Sequence, residues 1–316
     1  MKLEFSQVAC TDYFRMGITT TGGLIQIRPS RGRIRIDTIG STFKWRQVVG
    51  CERFVIAIRS DRTLWGCGYG PWPSPNRHHQ ESEWELEPIN MNKTWIQVAC
   101  TPTHIVCLDS HGGLWSMGRN DGQLGGYVVG ESTLTKIGDS NEWTKVACNT
   151  YNMVALKKKG TLWMVGYIYK GPVRRKGFIK KLTSPNPKAL YSDIACGVHH
   201  TVAIKRDGTL WGLGFNSEGQ IGGTGNKSTF TQIETANDWV QVACGAWHTV
   251  VLKKDGTLWG LGRNNYGQIG GTGGTGDKNT LTQIGTSNDW IQVACGVTST
   301  IALNNKGEAY TAGYWR

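Results

Sequence analysis

Long apolar runs and helical periodicity are missing from this 316-residue sequence, and proline is scarce. No run approaches the ~18 uncharged apolar residues of a membrane helix, and the start of the chain, with Glu4, does not resemble the apolar stretch of a secretory signal. With only 9 proline beside 43 glycine residues and no Gly-X-Y period, the chain is not collagen. We therefore expect a protein that does not span a membrane and is not secreted by a signal peptide.

Sequence motifs for catalysis are also absent. We find no Walker loop, no Gly-x-Ser-x-Gly nucleophile elbow and no His-Glu-x-x-His zinc motif. The stretch Gly271–Gly276 has the spacing of a dinucleotide fingerprint, but it lies in a connector between repeats and lacks the required strand and helix. The sequence thus predicts a protein that is not an enzyme and that uses no cofactor and no metal.

A repeated unit fills the chain. The stretch Trp239–Gly262 recurs in recognisable form, and the position of Gln241 is matched in six further units. The matching residues are Gln7, Gln47, Gln97, Lys145, Asp193 and Gln292, and successive units are spaced by 40, 50, 48, 48, 48 and 51 residues. Because these units leave no room for a second domain, we predict a single domain over residues 1–316.

Each unit contains three short runs typical of strands and a weaker fourth run. In the sixth unit the third run, Thr257–Gly262, follows an Asp-Gly pair that favours a hairpin, and Leu281–Ile284 is the fourth. Four short antiparallel strands with a period of about 40–50 residues are typical of a propeller blade. We therefore predict an all-β, seven-bladed β-propeller. Its units are anchored near residues 5–28, 45–69, 95–126, 143–167, 191–223, 239–271 and 290–316.

Two units carry the clearest motif: Gly-x-x-His, then Asp-Gly-Thr-Leu-Trp-Gly, then Gly-Gln-Ile-Gly. The motif residues are Gly197, His200, Asp207, Gly208, Trp211, Gly219, Gln220 and Gly222 in unit 5, and Gly245, His248, Asp255, Gly256, Trp259, Gly267, Gln268 and Gly270 in unit 6. This pattern resembles the regulator of chromosome condensation repeat, and its Thr-Leu-Trp-Gly sequence is similar to that of bacterial and bacteriophage members. The resemblance implies a seven-bladed propeller, in agreement with the count of units, but it does not fix the function.

Cysteine and histidine recur at fixed repeat positions. Six units place a cysteine at one position: Cys10, Cys100, Cys148, Cys196, Cys244 and Cys295. A ring of thiols could bind metal or oxidise, but we expect small buried residues, too far apart on different blades to share one zinc ion. The total of nine cysteines is odd, which is typical of reduced thiols. His104, His200 and His248 share a position that Phe54 fills elsewhere, so we expect structural hydrogen bonds within the blade.

The net excess of positive charge comes from two connectors. Residues 28–46 carry net +5 and residues 170–188 carry net +7, which together equal the +12 of the whole chain. Both connectors follow third strands, in units 1 and 4, so we expect them on one face and about 150° apart around the ring. As contacts for an anionic partner we select Arg28, Arg31, Arg33, Arg35, Lys170, Arg174, Arg175, Lys176, Lys180 and Lys181. The alternative is a pair of solvated surface loops.

A third irregular connector, Tyr69–Thr94, contains prolines, an acidic run and two tryptophans that the repeat does not explain. Its candidate contact residues are Trp72, His78, His79 and Trp84, because tryptophan is enriched at binding hot spots. The alternative is a loop folded over its own blade. The last unit ends after its third strand, so we also predict that its blade has three strands or borrows a fourth from a neighbouring subunit, which leaves an edge for docking.

Two functional hypotheses follow. The first is a non-enzymatic binding or assembly propeller, specifically a phage virion structural or tail-associated protein that recognises other structural proteins, a host surface or an anionic glycan. The second is an intracellular regulator, of the exchange-factor or nucleic-acid-binding type, that acts through the basic loops. They place the protein in a virion or in the cytoplasm, respectively. Nucleic acid has less support, because no aromatic stacking platform is interleaved with the cations.

Overall fold

Seven antiparallel β-sheets make up the part of the chain that the structure, a computed structural model, describes. This part comprises residues 4–11, 15–30, 33–51, 54–73, 86–124, 126–127, 130, 132–170, 175–270 and 276–314. Each sheet is formed by one repeat unit, so the predicted all-β, seven-bladed β-propeller is confirmed. Among these residues there is no helix that is long and apolar enough to cross a membrane.

Four strand positions recur from blade to blade. The first strands are β1 (Phe5–Cys10), β5 (Trp45–Gly50), β9 (Trp95–Cys100), β13 (Trp143–Cys148), β17 (Tyr191–Cys196), β21 (Trp239–Cys244) and β25 (Trp290–Cys295). The second strands are β2 (Arg15–Thr19), β6 (Phe54–Arg59), β10 (His104–Asp109), β14 (Asn152–Lys157), β18 (His200–Lys205), β22 (His248–Lys253) and β26 (Ser299–Asn304). First strands of neighbouring blades contact each other, so they line the centre of the ring.

Third and fourth strands lie toward the circumference. The third strands are β3 (Leu24–Ser30), β7 (Leu64–Gly68), β11 (Leu114–Gly118), β15 (Leu162–Lys170), β19 (Leu210–Gly214), β23 (Leu258–Gly262) and β27 (Ala309–Gly313). The fourth strands are β4 (Arg33–Ile39), β8 (Glu87–Asn90), β12 (Thr135–Lys136), β16 (Arg175–Thr183), β20 (Lys227–Glu234) and β24 (Lys278–Gln283). The seventh sheet, β25–β26–β27, has three strands in the described residues, as the sequence predicted.

A chain of hydrogen bonds explains the Asp-Gly-Thr-Leu-Trp motif of the turns between second and third strands. In blade 6, Asp255 Oδ1 accepts hydrogen bonds from the backbone N–H (2.9 Å) and hydroxyl (2.7 Å) of Thr257. The Thr257 hydroxyl in turn accepts a bond from Trp259 Nε1 at 2.9 Å. Gly256 has φ +82°, and a Cβ there would lie 2.1 Å from the Asn288 carbonyl oxygen. The motif thus fixes the turn and the indole together.

Aromatic pairs and aliphatic side chains fill the spaces inside and between blades. In five units the aromatic residue that opens the first strand meets that of the third strand edge to face, with ring centroids 6.2 Å apart for Trp95 and Trp115. Between blades 2 and 3, Ile56 and Val98 belong to one buried cluster. The core therefore lies mainly at the junctions between neighbouring blades, which makes each blade dependent on the next.

A side chain on each first strand joins its blade to the following one. Gln47 Oε1 accepts a hydrogen bond from Val98 N–H at 2.9 Å, and Gln47 Nε2 donates to the Val98 carbonyl at 3.3 Å. Gln292 closes the ring, because its Oε1 accepts from Val8 N–H at 3.1 Å. The equivalent bonds elsewhere are Gln7 to Val48, Gln97 to Val146, Asp193 to Val242 and Gln241 to Val293, and Lys145 forms an ion pair with Asp193. The repeat position that defines the units in sequence is therefore an inter-blade clamp.

Removing one clamp should weaken the protein measurably. Gln97 makes two bonds to Val146, at 2.9 and 3.1 Å, so we expect Gln97→Ala to lower the free energy of unfolding by about 1–3 kcal/mol, because Val146 loses its partners at a half-buried site. Urea denaturation measures this change. Gln283→Ala, at an exposed position of β24, is the control and should change it by less than about 0.5 kcal/mol. Equal losses in the two variants would contradict the clamp.

Candidate functional site

One face of the ring collects the ends of the first and third strands. In blade 5, Cys196 at the end of β17 pairs with Thr201, and Gly214 at the end of β19 pairs with His200, so both ends lie at the start of β18. The same register recurs in the other blades. We call this side, where first and third strands end, the hairpin face, because two long hairpins extend from it. The turns between second and third strands form the opposite face.

The two basic connectors are these hairpins. In blade 1, Ile27 lies opposite Arg15 at the start of β2, and β3 continues past it to Ser30, which pairs with Arg33 of β4. In blade 4, β15 continues from Gly166 to Lys170, which pairs with Arg175 of β16. Both connectors therefore extend beyond the same face, as predicted, from blades that are three apart in the ring.

The structure places the predicted basic residues on these hairpins to different extents. Arg35 is exposed and forms an ion pair with Asp37 of the same strand at 2.7 Å, and Lys181 is exposed on β16. The backbones of Arg28, Arg33, Lys170, Arg175, Lys176 and Lys180 lie in the four hairpin strands. Arg31 and Arg174 lie outside the described residues, as do His78, His79 and Trp84 of the third connector.

Trp72 lies inside the protein, whereas the sequence analysis placed it among the partner contacts. Its side chain is only 2% exposed and meets Phe54 edge to face, with ring centroids 5.3 Å apart. The glycines at 66 and 70 leave room for the indole, because a Cβ on either would lie within 2.6 Å of it. Trp72 therefore packs over its own blade, which was the alternative interpretation, and it offers no surface to a partner.

A cavity of about 300 Å³ opens at the centre of the ring and is lined by the ends of the first strands. Seven cysteines contribute to its wall: Cys10, Cys51, Cys100, Cys148, Cys196, Cys244 and Cys295. The first strands converge at the channel and bring these cysteines to its wall. Among the described residues, however, no three His, Cys, Asp or Glu side chains are arranged to hold a metal ion.

One pair of these cysteines forms a disulfide between blades. Cys51 and Cys100 are bonded, with their Cα atoms 6.3 Å apart, within the usual range for disulfides. The predicted set of reduced thiols is therefore wrong for this pair. The sequence signal was weak, because Cys51 follows Gly50 and stands one residue beyond the cysteine position of the repeat. The other seven cysteines are not disulfide-bonded.

The free thiols of the channel are held in the protonated form. Burial raises the pKa of Cys196 to about 12 and raises the pKa values of Cys148, Cys244 and Cys295 further above the ordinary value. The thiolate is the nucleophile and metal ligand, so these groups are poor at both tasks near neutral pH. Their role in this structure is to fill the channel wall.

Two of the three recurring histidines join neighbouring blades. His200 Nε2 lies 3.0 Å from the hydroxyl of Thr249, and His248 Nε2 lies 3.1 Å from that of Thr300, in each case on the next blade. His104 bonds within its own blade, as expected, because its Nδ1 lies 2.7 Å from the hydroxyl of Thr101. For His200 and His248 the bond is instead made between blades. Burial lowers the pKa of His200 to about 3 and that of His248 to about 4, so both imidazoles are neutral.

An aromatic cluster on the hairpin face was missed by the sequence analysis. Tyr151, His199 and Trp247 each precede the second strand of three consecutive blades, and Phe215 follows β19. Tyr151 stacks on His199 with centroids 4.8 Å apart, and His199 meets Trp247 at 4.9 Å. All four rings are partly exposed on the hairpin face, and the Tyr151 carbonyl accepts a bond from Tyr167 N–H at the base of the β15–β16 hairpin. An aromatic residue at one repeat position in three successive units was the available signal.

These contacts define a class of protein, a propeller of seven blades built from one repeated unit and clamped at each junction. Two family models, both described as the regulator of chromosome condensation (RCC1) repeat, match it: one at residues 191–220 and 239–268, the other at residues 207–252 and 255–303. Within residues 191–303 the chain therefore contains repeats of the regulator of chromosome condensation type. No curated protein matches it in sequence.

Solved structures share the fold at low sequence identity. Human WBSCR16 is 23% identical, with a TM-score of 0.75 over 90% of this chain and 81% of that one. Prp20p from Saccharomyces cerevisiae, which has binding properties to Gsp1p and histones, is 17% identical, with a TM-score of 0.77 over 98% of this chain and 82% of that one. At these identities the likeness shows the fold alone.

The predicted resemblance to bacteriophage members, and with it the virion role, is not supported. The C-terminal domain of gp131 from bacteriophage phiKZ is 12% identical, with a TM-score of 0.52 over 98% of this chain and 92% of that one. Its fold is less similar to that of this chain than the folds of the human and yeast proteins are. So distant a similarity gives no information about a role in a virion.

The buried histidines make stability depend on pH. The unfolded chain protonates His248 near pH 6.5, whereas the folded protein keeps it neutral down to a pKa of about 4, so its contribution is present above pH 6.5 and lost as the pH falls toward 4. Blade 4 has an asparagine, Asn152, at the repeat position of His248. Between about pH 7 and pH 4.5 we expect the unfolding free energy of the His248→Asn variant to fall by less than that of the unmodified protein. Urea denaturation at several pH values measures both losses, and identical losses would contradict the assignment.

Proposed function

We propose that the protein is a non-enzymatic regulator that binds the acidic surface of a partner protein on its hairpin face. One observation carries this proposal: the two connectors that hold all of the excess positive charge extend from the same face of the ring. A basic surface attracts an acidic partner and speeds their encounter. The charge is thus concentrated where a partner can meet it.

The position of the hairpins favours a large partner. They rise from blades 1 and 4, on either side of the channel mouth, so a protein that covers the mouth can touch both at once. Two simultaneous contacts bind more tightly than either alone, because the second forms within the complex. A small anion would meet only one hairpin and would gain nothing from the second.

The interior of the ring supports a binding role rather than catalysis. His200 and His248 are occupied by hydroxyl groups of the next blade, and burial keeps the channel thiols protonated. Protein binding is also what Prp20p, a structure with this fold, does with Gsp1p and histones. The irregular hairpins, which the clamped core does not require, are then the parts that select the partner.

Charge reversal on one hairpin tests the proposal. We expect fluorescein-labelled polyglutamate to bind at low salt, and Arg175→Glu/Lys176→Glu to weaken its binding at least about tenfold by removing the attraction. Fluorescence anisotropy measures the affinity. The matched control is Lys158→Glu/Lys159→Glu, the same change in the same blade on the opposite face, at the exposed turn between β14 and β15. Equal losses in both variants, or no binding by the unmodified protein, would contradict the proposal.

Single-stranded nucleic acid is the second candidate, and the aromatic cluster is the observation that favours it. Tyr151 lies at the base of the basic β15–β16 hairpin and begins a row of rings that continues through His199 to Trp247. Bases stack on such rings while cations hold the phosphates, at about 1–3 kcal/mol per base. This arrangement supplies the stacking platform that the sequence analysis did not find.

A comparison of single-stranded and duplex DNA separates the two candidates. If bases stack on the cluster, a single strand binds more tightly than a duplex of the same length, and Trp247→Leu weakens its binding about tenfold, because one stacking surface is lost. Tyr69→Leu, at a tyrosine that is 63% exposed on the same face of blade 2, is the control. If both DNA forms bind with equal affinity and Trp247→Leu changes neither affinity, the acidic surface of a protein remains as the candidate partner.

A further inference from the structure

The outer edge of blade 7 is an unpaired strand within the described residues. β27 pairs with β26 from Leu303↔Ala309 to Ser299↔Gly313 in one unbroken register, and no fourth strand follows it in this sheet. The other six sheets have a fourth strand on this side. β27 is therefore a regular, straight edge of the kind on which another strand can form.

Corresponding strands show which backbone groups of β27 face outward. In blade 6, the carbonyl of Leu258, at the position of Ala309, accepts a bond at 2.8 Å from the N–H of Ile284, the residue directly after the fourth strand. In blade 3, Gly118 N–H, at the position of Gly313, donates to the Gly130 carbonyl at 3.1 Å. Because the direction alternates along a strand, the N–H and C=O groups of Ala309, Thr311 and Gly313 point toward the open edge.

The composition of β27 differs from that of every fourth strand in the described blades. Each fourth strand carries a charged residue or a proline, which are the residues that protect edges from pairing. Examples are Arg35 and Asp37 in β4, Glu87 and Pro88 in β8, Lys136 in β12, Lys181 in β16, Lys227 in β20 and Lys278 in β24. β27 reads Ala-Tyr-Thr-Ala-Gly and has neither. It is therefore unprotected, and pairing it with its own copy brings no like charges together.

The side chains of β27 do not suit a fourth strand of the usual kind. In blades 5 and 6 the central glycine of the third strand lies under an isoleucine in the fourth strand or directly after it: a Cβ on Gly212 would be 3.0 Å from Ile233, and one on Gly260 would be 3.2 Å from Ile284. Blade 7 has Thr311 at this position. A strand with small residues on that face fits beside Thr311, whereas an isoleucine there would collide with the Thr311 side chain.

We propose that β27 pairs antiparallel with β27 of a second copy of this chain, with Thr311 at the two-fold axis. In this register Ala309 of each copy lies opposite Gly313 of the other, so only small residues flank Thr311 on its face. The outward N–H and C=O groups of the two Thr311 residues bond each other, and the two three-stranded sheets become one sheet of six strands. Tyr310, which is 53% exposed, is covered at the same time.

The oligomeric state tests this pairing directly. Sedimentation velocity over a concentration series is expected to show a monomer–dimer equilibrium for the unmodified protein. Thr311→Pro removes an N–H that does not bond β26, so the fold is kept, but both hydrogen bonds at the axis are lost and the dimer dissociation constant rises at least about tenfold. Thr311→Val, which keeps the N–H and the branched shape, is the matched control and should dimerise like the unmodified protein.

A charge at the axis gives an independent test. Thr311→Lys places two ammonium groups opposite each other, so its dimer should be weak at low salt and recover partly at high salt, as the repulsion is screened. The β-sheet circular dichroism of each variant monitors the fold. A protein that stays monomeric at all concentrations, or a dimer that Thr311→Pro and Thr311→Lys leave unchanged, would overturn the proposal.

Discussion

A hydrogen bond from one side chain to the backbone of the next blade is the contact on which the ring depends. Gln47 holds Val98 in this way, and Gln292 closes the circle on Val8. No blade could bury its faces alone, because the apolar clusters lie between blades and each needs both neighbours. The clamp sets neighbouring first strands in register, and the channel, the buried histidines and the common face of the hairpins all follow from that register.

The same constraint separates the structural residues from those available for function. The recurring contacts of the core, such as His248 on Thr300 and the edge-to-face tryptophans, join blades or pack within them. The basic hairpins and the open edge of β27, which do not repeat, lie at the surface. A partner can therefore be selected by changing connectors, while the clamped core remains the same. Regulation through bound partners is the role that such a division suits.

Much of this fold could be predicted from sequence, because each repeat unit contains the residues that determine its local geometry. The blade count, the turns and the three-stranded last blade each depend on residues close together in one unit. The errors concern contacts between units and the course of an irregular connector. The Cys51–Cys100 disulfide depends on how closely first strands converge, and the burial of Trp72 depends on the course of an irregular loop over Phe54. The stacking of Tyr151 on His199 likewise joins two blades, which no single unit contains.

The central claim is that the hairpin face binds an acidic partner, and hydrogen–deuterium exchange in the presence and absence of polyglutamate tests it most directly. The account predicts slower exchange in the β3–β4 and β15–β16 hairpins and in the loops at the channel mouth, because these lie on one face. The turns of the opposite face, such as Lys205–Thr209 and Lys253–Thr257, should exchange as before. Protection confined to those turns, or equal on both faces, would contradict the account.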